Sequence, residues 1–317
     1  MKRRKNGFLL LLIGTIACGQ YALHAQPRGL TPPQSSDTTV WNNYFAAWEA
    51  ASPKDARLWI DRFNHLFNRS RHSVMVLRRS GDTEPQPGES PDRLILQDST
   101  GAEAGSLSER IEYDESLLAR AVEAIDHGIA LHPDRLDMRL GRAAAFMHAG
   151  KYDQMVESLC VLTDRAEQNN GQWIGADGTT AQTVTPKELI ADYLQDYANT
   201  LFDALSSEPD DPASAALGRL AEREAAYCSE SPVALNNVAV WHYTAGRPEE
   251  ALRWFIRASE ADPDDALIIL NIGQLYASLG ETEQARTWWT KLLKFPDKTY
   301  REQAGELLKQ LDGASAR

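Results

Sequence analysis

Apolar residues recur three and four positions apart through most of the chain, the spacing that lines one face of an α-helix, and Pro, Gly and Asp interrupt the runs at intervals. On this pattern helices are expected at about 38–50, 53–69, 115–131, 134–149, 152–169, 187–206, 212–228, 232–245, 248–261, 266–279, 282–294 and 298–311. The start signals agree, because Ser52-Pro53, Asp211-Pro212 and Ser231-Pro232 each put a side-chain acceptor before a proline suited to the first helical position. Thr185-Pro186-Lys187-Glu188 adds a glutamate at the capping-box position. Two stretches break the helical period. In 71–113 the polar, proline-bearing run RRSGDTEPQPGESPD precedes LILQDSTGAEAGSL, where residues 94–97 and 103–107 are placed to pair around Ser99-Thr100-Gly101. A small β-hairpin inserted between helices is expected there. The other, QWIGADGTTAQTVT at 172–185, is a polar loop carrying Trp173 and is expected to lie over a groove or an edge.

Residues 232–265 and 266–299 align without a gap at a period of 34, which belongs to helix-turn-helix solenoids. The two units, PVALNNVAVWHYTAGRPEEALRWFIRASEADPDD and ALIILNIGQLYASLGETEQARTWWTKLLKFPDKT, resemble the tetratricopeptide repeat (TPR), and over roughly residues 115–311 the chain resembles secreted bacterial proteins of that kind. In that family small residues at repeat positions 8, 20 and 27 let paired helices approach, large ones at 4, 11 and 24 fill between them, and a glycine at 15 sits in the turn. Those slots hold Ala239, Ala251 and Ala258, then Leu235, His242 and Phe255, with Gly246 in the turn and Pro263 at position 32. The second unit supplies Gly273, Ala285, Ile269, Tyr276, Trp289 and Gly280, but Leu292 stands at position 27 and the proline comes one place early at Pro296. A degenerate repeat surrounds Gly150, with Ala143 at position 8 but Met155 and Leu162 at 20 and 27. Upstream, Ala121, Gly128 and Pro133 keep the second-helix register. The resemblance implies an all-α helix-turn-helix solenoid of about twelve helices, with the hairpin inserted and the last helix covering the apolar face of the final repeat.

The N-terminus changes the picture of compartment. Lys2, Arg3, Arg4 and Lys5 precede an apolar run from Phe8 to Cys18 and a small-residue end at Ala25, the pattern of a cleavable signal peptide. Cleavage after Ala25 competes with lipid attachment at Cys18, where Thr15 stands in place of the usual aliphatic residue. The expectation is an exported protein of the periplasm or envelope of a Gram-negative bacterium, with no transmembrane helix in the mature chain. The full chain has a formal charge of −12, and losing four N-terminal bases makes the remainder more acidic, which argues against nucleic acid as a partner. The domain organisation expected is a signal at 1–25, a flexible segment at 26–37, a helix pair with the hairpin at 38–113, degenerate repeats with the long loop at 114–231, two clear repeats at 232–299, and a cap and tail at 300–317.

Strong enzyme signals are missing from the sequence: it has no phosphate-binding loop, dinucleotide glycine fingerprint, HExxH, CxxC pair or GxSxG. His127 and His132 lie five apart and do not share a helical face, and the acidic runs at 208–212 and 262–265 lack the glycine and closing glutamate of a calcium loop. No catalytic residue, metal or cofactor is therefore expected. His242 reads as a hydrogen-bonded core residue, Trp254, Trp288 and Trp289 read as packing, and Cys160 and Cys228 read as unpaired thiols.

A solenoid of helix pairs presents a concave face lined by first helices, so a binding groove arises without catalytic residues. The resemblance assigns groove positions 5, 9 and 12 to Asn236, Val240 and Tyr243, then Leu270, Gln274 and Ala277, with Leu140, Ala144, Met147 and neighbouring His148 from the degenerate repeat. No basic residue stands among them, so the carboxylate clamp of chaperone-binding relatives is not expected. The function read from the chain is an exported, non-enzymatic scaffold or adaptor holding a protein or peptide partner in its groove. Two alternatives are a glycan-binding protein or hydrolase built on the inserted loops, and a self-assembling structural protein.

Overall fold

The computed structural model describes residues 30–81, 89–179, 186–205 and 211–315. The signal reading of residues 1–25, Cys18 and the capping position Thr185 lie outside them. Among the described residues there are twelve helices and one small sheet, an all-α TPR-type solenoid with a β insertion. The chain divides into two compact units, one ending at Pro186 and the other beginning at Lys187.

The first unit holds α1 (Thr38–Ala51), α2 (Ala56–Ser70), β1 (Arg71–Arg79), β2 (Glu89–Gln97), β3 (Glu103–Tyr113), α3 (Glu115–Leu131), α4 (Leu136–His148) and α5 (Tyr152–Gln168). Its largest core joins Phe63, Leu66 and Phe67 of α2 to Leu118, Ala121 and Ile125 of α3 and Met138 of α4. The pairing of residues 94–97 with 103–107 is present, with Asp98 Oδ1 accepting from Thr100 N at 2.8 Å in the turn. The insertion is larger than a hairpin. Strand β1 adds to it, giving an antiparallel sheet of order β1-β3-β2 with Leu77 opposite Leu107 and Leu107 opposite Leu94. An Arg78 to Glu89 ion pair at 2.6 Å ties the two outer strands together.

Two helix starts move, each for a local reason. Ser52 does not open a helix but closes α1, donating its backbone N–H to Trp48 O at 2.8 Å, and Asp55 caps α2 by accepting from Arg57 N at 3.0 Å. The helix expected from 134 begins at Leu136 because Asp134 is occupied elsewhere. Its carbonyl accepts from Ile174 N at 2.8 Å, and its carboxylate takes Arg165 and Asn169. These contacts pin the start of the long loop, and Trp173 within it is 1% exposed, a core residue rather than a covering flap.

The second unit holds α6 (Pro186–Asp203), α7 (Pro212–Tyr227), α8 (Pro232–Thr244), α9 (Pro248–Ala261), α10 (Ala266–Ser278), α11 (Thr282–Leu292) and α12 (Lys298–Ser315). Leu235, Ala239, Ala251, Phe255 and Ala258 form one core with Ile268 and Ile272, so the small and large slots of the first clear repeat meet as its pattern requires. A second core joins Ile269, Leu270, Ala285, Trp289 and Leu292 to Ala304 and Leu311 of α12, which acts as the cap. Gly246 and Gly280 have φ of +71° and +78°, the left-handed conformation that lets the chain reverse after a helix. In both turns the next residue bonds back to the helix, Arg247 N to His242 O and Glu281 N to Tyr276 O, each at 2.9 Å.

Candidate functional site

The best-formed groove of the second unit is lined by first helices, the face a solenoid leaves open. Gln195, Ala198, Asn199 and Phe202 from α6, Val233, Asn236, Asn237 and Val240 from α8, and Leu267, Ile268 and Asn271 from α10 enclose a cavity of about 390 Å³, with Leu217 and Asp265 completing it. The spacing explains the convergence. Each helix contributes residues three and four apart, one stripe of a 3.6-residue period. Ala198, Leu217 and Ile268 are buried and form an apolar floor, while Phe202, Val233 and Leu267 stand 48%, 44% and 46% exposed at the margin.

Five side-chain amides cross this surface in two sets. Asn271 Nδ2 donates to Asn236 Oδ1 at 3.1 Å. Asn237 Nδ2 donates to Gln195 Oε1 at 2.7 Å and to Glu224 Oε2 at 2.8 Å, and Gln195 Nε2 donates to Asn199 Oδ1 at 2.9 Å. These bonds tie together residues that line the cavity, and side-chain amides carry the same donor and acceptor types as a peptide backbone. Beneath them Glu224 of α7 is 2% exposed, and its burial pushes the carboxyl up to about 7 against the opposing effect of the Asn237 bond.

The margin is acidic. Asp265 Oδ1 accepts from both Leu267 N and Ile268 N as the cap of α10, and Asp264 is exposed beside it. Val233, Asp265 and Leu267 are shared with a wider cleft of about 1250 Å³, which runs past Asp262, Asp264 and Asp297 and the lysines Lys291 and Lys294 to Tyr300. Neither α8 nor α10 carries a Lys, Arg, Asp or Glu, and no cation lines the groove.

Of the residues expected from sequence, Asn236 and Val240 line the groove. Tyr243 is 49% exposed and Gln274 is exposed, neither among the lining residues, while Leu270 is buried in the α10–α12 core with Trp289 Nε1 donating to its carbonyl at 3.4 Å. Met147, Leu140 and Ala144 are buried within the first unit, and His148 stands exposed beside them. The lining falls at repeat positions 2, 5, 6 and 9 in α8 and at 2, 3 and 6 in α10, where 5, 9 and 12 were expected. Asn237 and Asn271, both at position 6 and one period apart, were the available signal for it. His242 departs from the hydrogen-bonded core expectation. Its Nδ1 is buried with no partner among the described residues, because the Trp241 ring packs against it at 4.7 Å instead of a polar group. Trp254 and Trp288 are half-buried, with Arg257 and Lys291 lying over their exposed faces. Cys160 and Cys228 are not joined by a disulfide. Among the described residues no cluster of His, Cys, Asp and Glu is arranged to hold a metal, and no helix is long and apolar enough to cross a membrane.

Repeated helix pairs and glycine turns define a TPR-type helical-repeat fold. Residues 233–260 match the family described as Tetratricopeptide repeat. Among solved structures, the chain is similar to YrrB, described as a TPR protein with an unusual peptide-binding site, at 16% identity over 83% of this chain and 97% of that one, TM-score 0.39. It is also similar to PilW, a type IV pilus biogenesis factor, at 12% identity over 84% and 89% of the two chains, TM-score 0.35. MamA matches at 14% identity over 61% and 87%, TM-score 0.35. No residue, ligand or role is carried over from structures this distant. No curated protein matches the sequence.

Proposed function

We propose that the protein is an exported, non-enzymatic scaffold that holds an extended peptide segment of a protein partner across the α6–α8–α10 groove. The carrying observation is the set of five amides over an apolar floor. Amides already bonded to one another lose little freedom on binding, and their remaining donors and acceptors suit a backbone whose own groups are unpaired. The apolar floor gives one or two aliphatic side chains of the segment a place to bury. Export is read from the basic and apolar run ending at Ala25, and a mature N-terminus at Gln26 in the envelope fraction is the outcome expected from N-terminal sequencing. A start at Met1 defeats that part, and a start at Cys18 replaces simple cleavage by lipid attachment.

The groove is tested by selecting octapeptides from a random display library on the immobilised chain, then measuring the best ligand against an Asn236→Ala, Asn271→Ala double variant. Losing two amide contacts is worth about 1–3 kcal/mol, so the dissociation constant should rise about 5- to 150-fold while circular dichroism stays unchanged. Equal binding to a folded double variant removes the groove from the function.

A further inference from the structure

Resting on the groove reading, we infer that the partner segment is basic: an extended stretch alternating aliphatic residues with Lys or Arg, its cations meeting the acidic margin at Asp264 and Asp265. Three observations converge. The groove lining carries a single charged side chain, Asp265, and it is an anion. That carboxylate spends only Oδ1 on the helix cap, while Asp264 is exposed and Asp262 Oδ1 is spent on the Asp264 backbone N–H at 3.1 Å. The exposed Val233–Leu267 ridge then makes the groove continuous with the wider cleft, whose lining includes Asp262, Asp264 and Asp265 together with Lys291 and Lys294.

Lys291 is partly engaged, its ammonium lying 3.4 Å from the Trp288 ring centroid. On α6, outside the lining residues, Asp192 is exposed one turn before Gln195 and Asp196 directly follows Gln195. A chain laid along the amides therefore leaves an uncharged lining at the acidic margin of Asp264 and Asp265, with further carboxylates on α6 outside the lining. Like charges placed there are repelled and opposite ones steered in, which sets specificity and association rate more than bulk affinity. A C-terminal carboxylate finds no cation in the groove.

Three amidated, acetylated peptides carrying an uncharged fluorophore, GAKVKAKG, GAQVQAQG and GAEVEAEG, are titrated with the full chain by fluorescence anisotropy at 50 mM and 500 mM salt. The expected result is about tenfold tighter binding of the lysine peptide than of the glutamine peptide at low salt, with the glutamate peptide weakest and the difference collapsing at high salt. An Asp264→Asn, Asp265→Asn variant retains a good helix cap and should bind the lysine peptide no better than the glutamine one. Equal binding of all three peptides, a preference for glutamate, no binding of any, or an unaltered preference in the asparagine variant overturns the inference. The groove reading fails separately. It falls if the library ligand ignores Asn236→Ala, Asn271→Ala, and it stands if the glutamine peptide binds and is lost on that variant while lysine has no advantage.

Discussion

Gly273 sets how closely α10 and α11 approach. A Cβ at that position would lie 2.3 Å from Trp289 Nε1 and 2.4 Å from Cδ1, and Trp289 is 3% exposed, so the ring has no solvent-side escape. The preceding repeat solves the same contact with Ala239 and Phe255, a larger small residue against a smaller ring. Gly218 and Trp241 repeat the solution between α7 and α8, where a Cβ would meet the indole at 2.1 Å. Overpacking of this kind costs about 1–3 kcal/mol, so Gly273→Ala should lower the urea midpoint accordingly. Trp289→Phe leaves a cavity and is destabilising alone, yet combined with Gly273→Ala it should recover at least about 1 kcal/mol relative to the sum of the two. Strict additivity in that double-mutant cycle would show that the glycine is not there for the indole.

At the scale of elements, the helices were legible from their apolar period, and some of their starts also from their caps. Asp211 and Ser231 accept from Ala213 N and Ala234 N as the sequence implies. Turn glycines at one repeat position gave the reversals, and the small and large slots gave the cores. Strand β1 was not legible for the opposite reason. It follows α2 at Arg71 with no proline or glycine between, and SVMVL is apolar on both faces, so alternation does not mark it. The groove was half legible. Asn236 and Val240 followed from the repeat, but Gln195, Asn199 and Phe202 sit in a helix whose repeat register is too worn to read, and Leu270 turns inward because the final repeat buries its first helix against the cap. A position assigned to a groove by register alone is thus decided by what the next helix covers.

For the whole molecule, displaced titrations make stability depend on pH differently in the two units. In the first, burial lifts Asp61 to about 6 and lowers His65 to about 4, helped in the latter by Arg69 and Arg120. The native state holds an extra proton on Asp61 and lacks one on His65 across nearly the same range, so their effects on stability oppose one another. The second unit has no such balance of depth. Glu224, nearly inaccessible, titrates at about 7 in place of its ordinary value near 4.5, so between those values the folded state binds more protons than the unfolded one. Its stability is therefore greatest below about pH 4.5 as far as this group is concerned, falls as pH rises, and carries the full cost above about 7. Asp196, also raised, adds to the fall, and His242, lowered, opposes it in the acid part of the range. The Glu224 contribution is on the order of 3 kcal/mol if the burial persists on ionisation. Glu224→Gln keeps an acceptor for Asn237 and removes the charge. The variant should match the wild type near pH 5 and exceed it at pH 8 in the denaturant midpoint of the transition that includes α7 and α8. Parallel pH profiles for the two proteins would mean that Glu224 ionises at its ordinary value and that water reaches the carboxylate beneath the groove.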